Sequence, residues 1–385
     1  MKKVVLSLAM LTMGVTAVAQ ENNKATVNQT GVLNNSTISQ EGERNNFTLT
    51  QTGTFNENNA TQRGDDNIAI VDQNGLGNEA NTSMNGNGNE AEVSQLGTFN
   101  SAEVAQTGDY NLALTLQDGI LNSTEVVSEG DGNIAVTSQG GNLNEAGISQ
   151  TGDFNAAGIG QGGNGNEALV MQSGDYNYTL ALSQGNSNQT YVDQAGNENS
   201  SNSMQLGSDN LVEVTQEGDF NKSTIAQTGD RNYVSSLQDG SYNISEVAQT
   251  GDDNEAYVYQ FRTGSNYSEI AQIGDSNYAA IDQRGNNTSY IDQEGNQNMA
   301  YAYQEADNNY NAMLQEGNNN RSELRQTNGS DNMNMTYQVG NQNQAYVTQN
   351  GSFNTSLIDQ TSNNNLSTVN QFGLANSSTI SQGSF

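Results

Sequence analysis

One polar phrase governs what this chain can become: Asn-x5-Gln, repeated 33 times from Asn23–Gln29 to Asn376–Gln382. Asn opens every copy and Gln closes 30 of the 33, the exceptions being Met84, Ser128 and Ser183. Self-similarity of this kind marks an architecture in which each unit stacks on its neighbours and buries a face it cannot bury alone.

The length changes show which part is structured. The step from Asn to Gln is six residues in every copy, whereas the x-Gly-x-x connector lengthens at Gln260–Asn266 and Gln326–Asn332 and shortens at Gln283–Asn287. A segment held in register with neighbours tolerates no insertion, while a surface turn absorbs one residue. Asn-x5-Gln is therefore expected as a strand and the connector, with Gly in 30 of 32 cases, as a turn that uses glycine's access to positive φ.

Within the phrase the pattern has period two. Two residues after Asn stands Ala, Ser or Thr in 27 of 33 copies, and two further on Val, Ile or Leu in 23 of 33. Asn100, Ala102, Val104 and Gln106 then share one face of a strand, and Ser101, Glu103 and Ala105 share the other. A helix would need a period of 3.6, which is absent.

A longer period lies over the first. The residue after the turn Gly is acidic at Glu43, Asp65, Asp109, Asp131, Asp153, Asp175 and Asp219, on one 22-residue register that Asn87 and Asn197 complete. The alternate turns from Val32 to Ser208 carry no acid at that position. Two strands and two unlike turns make one unit, and the two kinds of turn belong on opposite edges.

These periods predict an all-β, two-sheet β-solenoid: parallel, in-register rungs of strand-turn-strand, 22 residues each, built from two 11-residue half-repeats in an amyloid-like stack. Rungs about 4.8 Å apart place Asn above Asn and Gln above Gln, so the buried amides satisfy one another and a slipped register is penalised. The predicted ladder includes Asn100, Ala102, Val104, Gln106, Gly108, Asn111, Ala113, Gln117, Asn144, Gln150, Gly152, Asn155 and Gln161. An antiparallel meander has the same alternation, but an open sheet of 33 strands far exceeds the usual limit of about ten and leaves its amide face uncovered.

Ahead of the repeats, Lys2 and Lys3, the apolar run Val4–Ala17 and the small residues to Ala19 read as a cleaved secretory signal over 1–19. The expected organisation is then a short segment at 20–22, repeats over 23–382 and a tail at 383–385. Without Lys2 and Lys3, nine basic residues face 43 acidic ones, a net charge of −34. That balance opposes nucleic acid and anionic lipid as partners, and no membrane insertion is expected. Cys and His are absent, which removes disulfides, the commonest metal ligands and the commonest general base. No cofactor, metal or catalytic residue is expected. Neither end of the repeat array shows a capping element, so two open edges of matching chemistry are expected to join copies head to tail.

The stretch Asn100-Ser-Ala-Glu-Val-Ala-Gln106-Thr-Gly108-Asp-Tyr-Asn111-Leu-Ala113-Leu-Thr-Leu-Gln117 resembles the curlins, whose repeat reads Ser-x5-Gln-x-Gly-x-x-Asn-x-Ala-x3-Gln. The resemblance runs over residues 23–382. It implies a major subunit of secreted curli fibres that serve adhesion and biofilm matrix, with a nucleating minor curlin, an outer-membrane secretion pore and periplasmic chaperones as partners.

The rival readings are non-polymerising secreted solenoids. A polysaccharide-acting β-helix enzyme would need unrepeated residues converging in a groove, whereas acids here are spread periodically. A calcium-binding or adhesin module would draw on the acidic turn column. The same column, through Asp109, Asp131, Asp153 and Asp175, is expected to slow premature assembly by like-charge repulsion.

Overall fold

A computed structural model describes Gly14–Val15 and residues 22–261 and 264–383. The expected signal segment lies outside the described residues except for Gly14–Val15, a two-residue strand parallel to Asn35–Glu41 at Thr37 and Ile38. The repeats divide into two compact units, one ending at Phe154 and the other beginning at Asn155.

In the first unit, twelve repeat strands from Lys24–Val32 to Glu145–Thr151 alternate between two parallel sheets. Each strand pairs with the one 22 residues on, in register: Ala91, Ala113 and Ala135 align, as do Gln95, Gln117 and Gln139. In the second unit, 21 strands from Ala156–Asn164 to Ser377–Gln382 follow the same rule. There the offset becomes 23 at Ile244↔Tyr267 and 21 at Tyr267↔Thr288, so the altered connectors absorb the change and Gln249, Gln272 and Gln293 still align. Residues 262–263 of the first lengthened connector lie outside the described residues.

Packing follows the period of two. Ala102, Val104 and Gln106 are buried between the sheets, while Glu103 between them is exposed. The interior is thin, one layer of small and branched aliphatic residues flanked by rows of buried Asn and Gln.

The strands differ from the expected phrase in one respect. They begin one residue after Asn and run past Gln, as in Ser101–Thr107, except for the two that end at Gln360 and Gln382. Asn lies outside because the residue before it takes a left-handed conformation, for example Tyr110 at φ 59° and Phe99 at φ 55°, which ends the extended run. The connector Gly turns the other corner. Gly108 has φ 109°, and a Cβ there would collide with the carbonyl oxygen of Gly130 in the next rung.

The two edges of the first unit are built differently. Strands leading into one edge have nine residues and those leading into the other have seven. On the longer side Leu76, Thr98 and Ile120 stay paired through the turn. On the shorter side a side chain takes over the pairing. Asp131 Oδ1 accepts the backbone N–H of Asp109 at 2.8 Å, and Asp153 Oδ1 that of Asp131 at 2.8 Å. Val32, Leu76 and Ile120 on the longer side offer no such acceptor, and there the backbone ladder continues.

Candidate functional site

The array of buried amides is the candidate site, and its geometry is directional. Along the first unit, Gln29, Gln51, Gln73, Gln95 and Gln117 each donate from Nε2 to Oε1 of the next Gln, the last of them to Gln139, at 2.6–2.9 Å. In the second unit the chain Gln172, Gln194, Gln216, Gln238, Gln260 runs the same way at 2.7–2.9 Å. It continues through the altered connectors to Gln283 and Gln304 at 3.1 and 3.0 Å. Gln donors therefore point toward the C-terminal rung.

The Asn ladder points the other way. Asn100 donates from Nδ2 to Oδ1 of Asn78 at 3.2 Å, and its own Oδ1 accepts the backbone N–H of Asn122 at 3.0 Å. Asn111 repeats this with Asn89, and Asn144 with Asn122, each at 3.1 Å. In the second unit Asn177 donates to Asn155 at 3.1 Å. The Asn Nδ2 also ties down the turn two half-repeats away, as Asn111 does to the Gly130 carbonyl at 2.7 Å and Asn155 to that of Gly174 at 2.7 Å. Asn111 and Asn177 thus close a corner as well as a rung, a role the fixed position of Asn in the phrase did not reveal by itself.

Asn100, Ala102, Val104, Gln106, Asn111, Ala113, Gln117, Asn144, Gln150, Asn155 and Gln161 are buried, and Gly108 and Gly152 lie in turns; one position differs locally. Gln106 lies between Met84 and Ser128 in the same sheet, so its Oε1 is buried with no hydrogen-bond partner. Ser128 and Ser183 preserve part of the ladder by donating to Gln150 at 3.1 Å and Gln205 at 3.0 Å; the thioether of Met84 donates nothing. Met84→Gln is expected to supply the missing donor and stabilise the chain by about 1 kcal/mol, read as a raised guanidinium midpoint. A lowered midpoint would show that the cavity accepts only the thioether.

The acidic turn column holds Asp109, Asp131, Asp153 and Asp175 at one edge of their respective units. Asn197 accepts the N–H of Asp175 at 2.9 Å in the same manner as the aspartates, which explains why Asn87 and Asn197 occupy this register. The oxygen is required and the charge is not. Beyond Asp219 the column changes edge: Ser208, Asp230 and Asp252 donate their N–H groups to Asp230, Asp252 and Asp275 at 2.8–3.0 Å. Exposed arginines bridge some rungs, with Arg44 on Asp66 and Arg231 on Asp253, both at 2.7 Å. Those hydrogen bonds hold the two carboxyls below the usual carboxylate range. Among the described residues no group of three acidic side chains is arranged to hold a metal ion.

Matches to the curlin associated repeat cover residues 21–53, 64–97, 86–119, 141–174, 163–196, 207–235 and 229–261, more than half of the chain. The chain belongs to the curlin repeat family. It is a curli-like structural protein, and the last match to the curlin repeat ends where the first lengthened connector begins. No individual curated protein matches it.

In this curlin-family chain the N-terminal rung of the first unit and the C-terminal rung of the second carry complementary chemistry. At the first unit's outer rung, Gln29 and Gln40 each donate inward, to Gln51 at 2.6 Å and Gln62 at 2.7 Å, which leaves their Oε1 atoms facing away. At the second unit's outer rung, Asn365 and Asn376 donate inward to Asn343 and Asn354 at 3.1 and 2.8 Å, leaving their Oδ1 atoms facing away. There the Nε2 of Gln382 bonds only to the Leu366 carbonyl, at 3.1 Å.

Proposed function

We propose that this chain is the structural subunit of extracellular fibres that elongate by end-on stacking of copies, and that it acts without catalysis. The opposed polarity of the two amide ladders carries this reading. One outer rung offers Gln Nε2 donors and Asn Oδ1 acceptors; the other offers Gln Oε1 acceptors and the Asn23 and Asn34 N–H donors. A second copy added head to tail matches donor to acceptor in both rows, whereas head-to-head contact sets like against like. The outward rows of backbone N–H and C=O groups at the same edges reinforce the match.

Export precedes assembly in this reading. Gly14–Val15 belongs to the signal segment and partners Thr37 and Ile38, so cleavage clears that edge as the chain leaves the cell. Family resemblance supports a secretion pore, periplasmic chaperones and a nucleating curlin as partners, with adhesion and biofilm matrix as the product's use.

The test is to dilute the mature chain from denaturant and record fibre diffraction, with reflections expected at 4.7–4.8 Å and about 10 Å. Isolated particles that never elongate would overturn the proposal. The same assay examines the acidic column. Replacing Asp109, Asp131, Asp153 and Asp175 with Asn keeps the Oδ1 acceptor and removes four charges; two unit charges about 5 Å apart in water repel by about 0.8 kcal/mol. The lag before elongation is expected to shorten; an unchanged lag would reject a braking role.

A further inference from the structure

We infer that the apolar edge of the first unit is a second, lateral interface, which seats the same edge of another copy of this chain. End-on stacking does not use this surface. The residue preceding each Asn on that edge is Leu33, Phe55, Gly77, Phe99, Leu121 and Leu143 in successive rungs. Leu33 is 63% exposed, Phe55 56%, Phe99 53% and Leu143 61%. Val32, Leu76 and Ile120 stand next to them, also exposed.

Backbone geometry does not call for apolar side chains here. All five non-glycine residues of this column have φ between 55° and 60°, a region where Asn and Gly are favoured and bulky residues cost more. The second unit fills equivalent corners with Asn319, Gln342 and Asn364 at φ 57–60°. A chain under no demand beyond solubility would do the same in the first unit. The apolar choice, made against local preference, is what a contact surface requires.

Charge selects the occupant. The six turns of this edge contain one acid, Asp118, whereas the six turns of the opposite edge contain eight acids and two arginines. With −34 on the mature chain, copies repel through most approaches and least through this edge. Glu57 and Glu79, both exposed, rim the ridge and disfavour an anionic lipid surface. A second copy also has the same rung spacing, so its ridge stays in step along the whole contact, and a two-fold arrangement makes the patch complementary to itself. The ridge exposes on the order of several hundred Å², approaching the roughly 800 Å² per partner of a standard interface.

The test uses the full mature chain and two kinds of variant. Phe55→Asn, Phe99→Asn and Leu121→Asn together remove the centre of the ridge while easing the left-handed backbone, so folding is favoured. Fibre mass per unit length, measured by scanning transmission microscopy, is expected to fall about twofold. In this cysteine-free chain, Phe99→Cys is expected to give disulfide-linked dimers under mild oxidation, while Tyr110→Cys on the acidic edge remains unlinked. Equal mass per length in the triple variant, or equal crosslinking of the two cysteines, would overturn the interface. So would wild-type binding to neutral phosphatidylcholine vesicles that the triple variant loses without a change in mass per length. Wild-type fibres that are already single filaments reject the lateral contact and leave stacking intact. Ridge-linked dimers without fibres do the reverse.

Discussion

Asn100→Ala will lower the stability of the refolded chain by roughly 3–5 kcal/mol, at about 1–3 kcal/mol for each buried group left unpaired. The substitution leaves the Asn122 N–H without the Oδ1 that receives it at 3.0 Å and the Gly119 carbonyl without the Nδ2 that reaches it at 3.1 Å. It also strips one donor from the Leu96 carbonyl, at 3.3 Å. Truncation opens a site too small and too enclosed for water to restore all three bonds. Ser101→Ala, one residue along on the outward face, should move the guanidinium midpoint by no more than the equivalent of about 0.5 kcal/mol. Equal effects at the two positions would show that the Asn row is a passenger of the fold.

A second large effect is expected at the outer edge of the second unit. Thr379 pairs inward with Leu357, and in a parallel ladder alternate residues send their N–H groups to opposite sides. Thr355 sends its N–H to the Asn376 carbonyl at 2.8 Å; Ser377, Thr379 and Ser381, at equivalent positions, send theirs outward. Thr379→Pro therefore removes no internal hydrogen bond, and proline is tolerated on such an edge. It does place a ring where the next copy must pair. Seeded elongation is expected to slow about tenfold or more, and variant chains mixed into wild type should cap growing ends. Leu357→Pro, one rung inside, should instead destabilise the folded chain. Undiminished elongation by Thr379→Pro, with an intact fold, would refute end-on pairing through this strand.

Much of this architecture is legible in the residues because the same environment recurs 33 times. The invariant step from Asn to Gln, with length changes confined to connectors, requires every rung to stay aligned, and the aligned Gln249, Gln272 and Gln293 show it across both kinds of altered turn. Ala102 and Val104 could be assigned to the interior because a strand has only two faces. The acidic register likewise separated the two edges, since residues 22 apart must superpose. The corner residues before each Asn were harder to read. Taken over both edges, members such as Arg44, Phe55 and Tyr110 share a backbone conformation and no chemistry.

The period, the faces and the pairing of amide with amide follow from the residues alone, because stacking near-identical phrases allows one alignment that sets Asn above Asn and Gln above Gln. Tertiary structure decided direction and surface: that Gln donates up the stack while Asn donates down it, that Asp109 and its kin serve as backbone acceptors, and that Phe55, Phe99 and Leu121 gather on one exposed ridge. An amide can turn either way, and a turn residue can face inward or out. Only the placement of neighbouring rungs removes that freedom, by setting which lone pair and which N–H lie within reach.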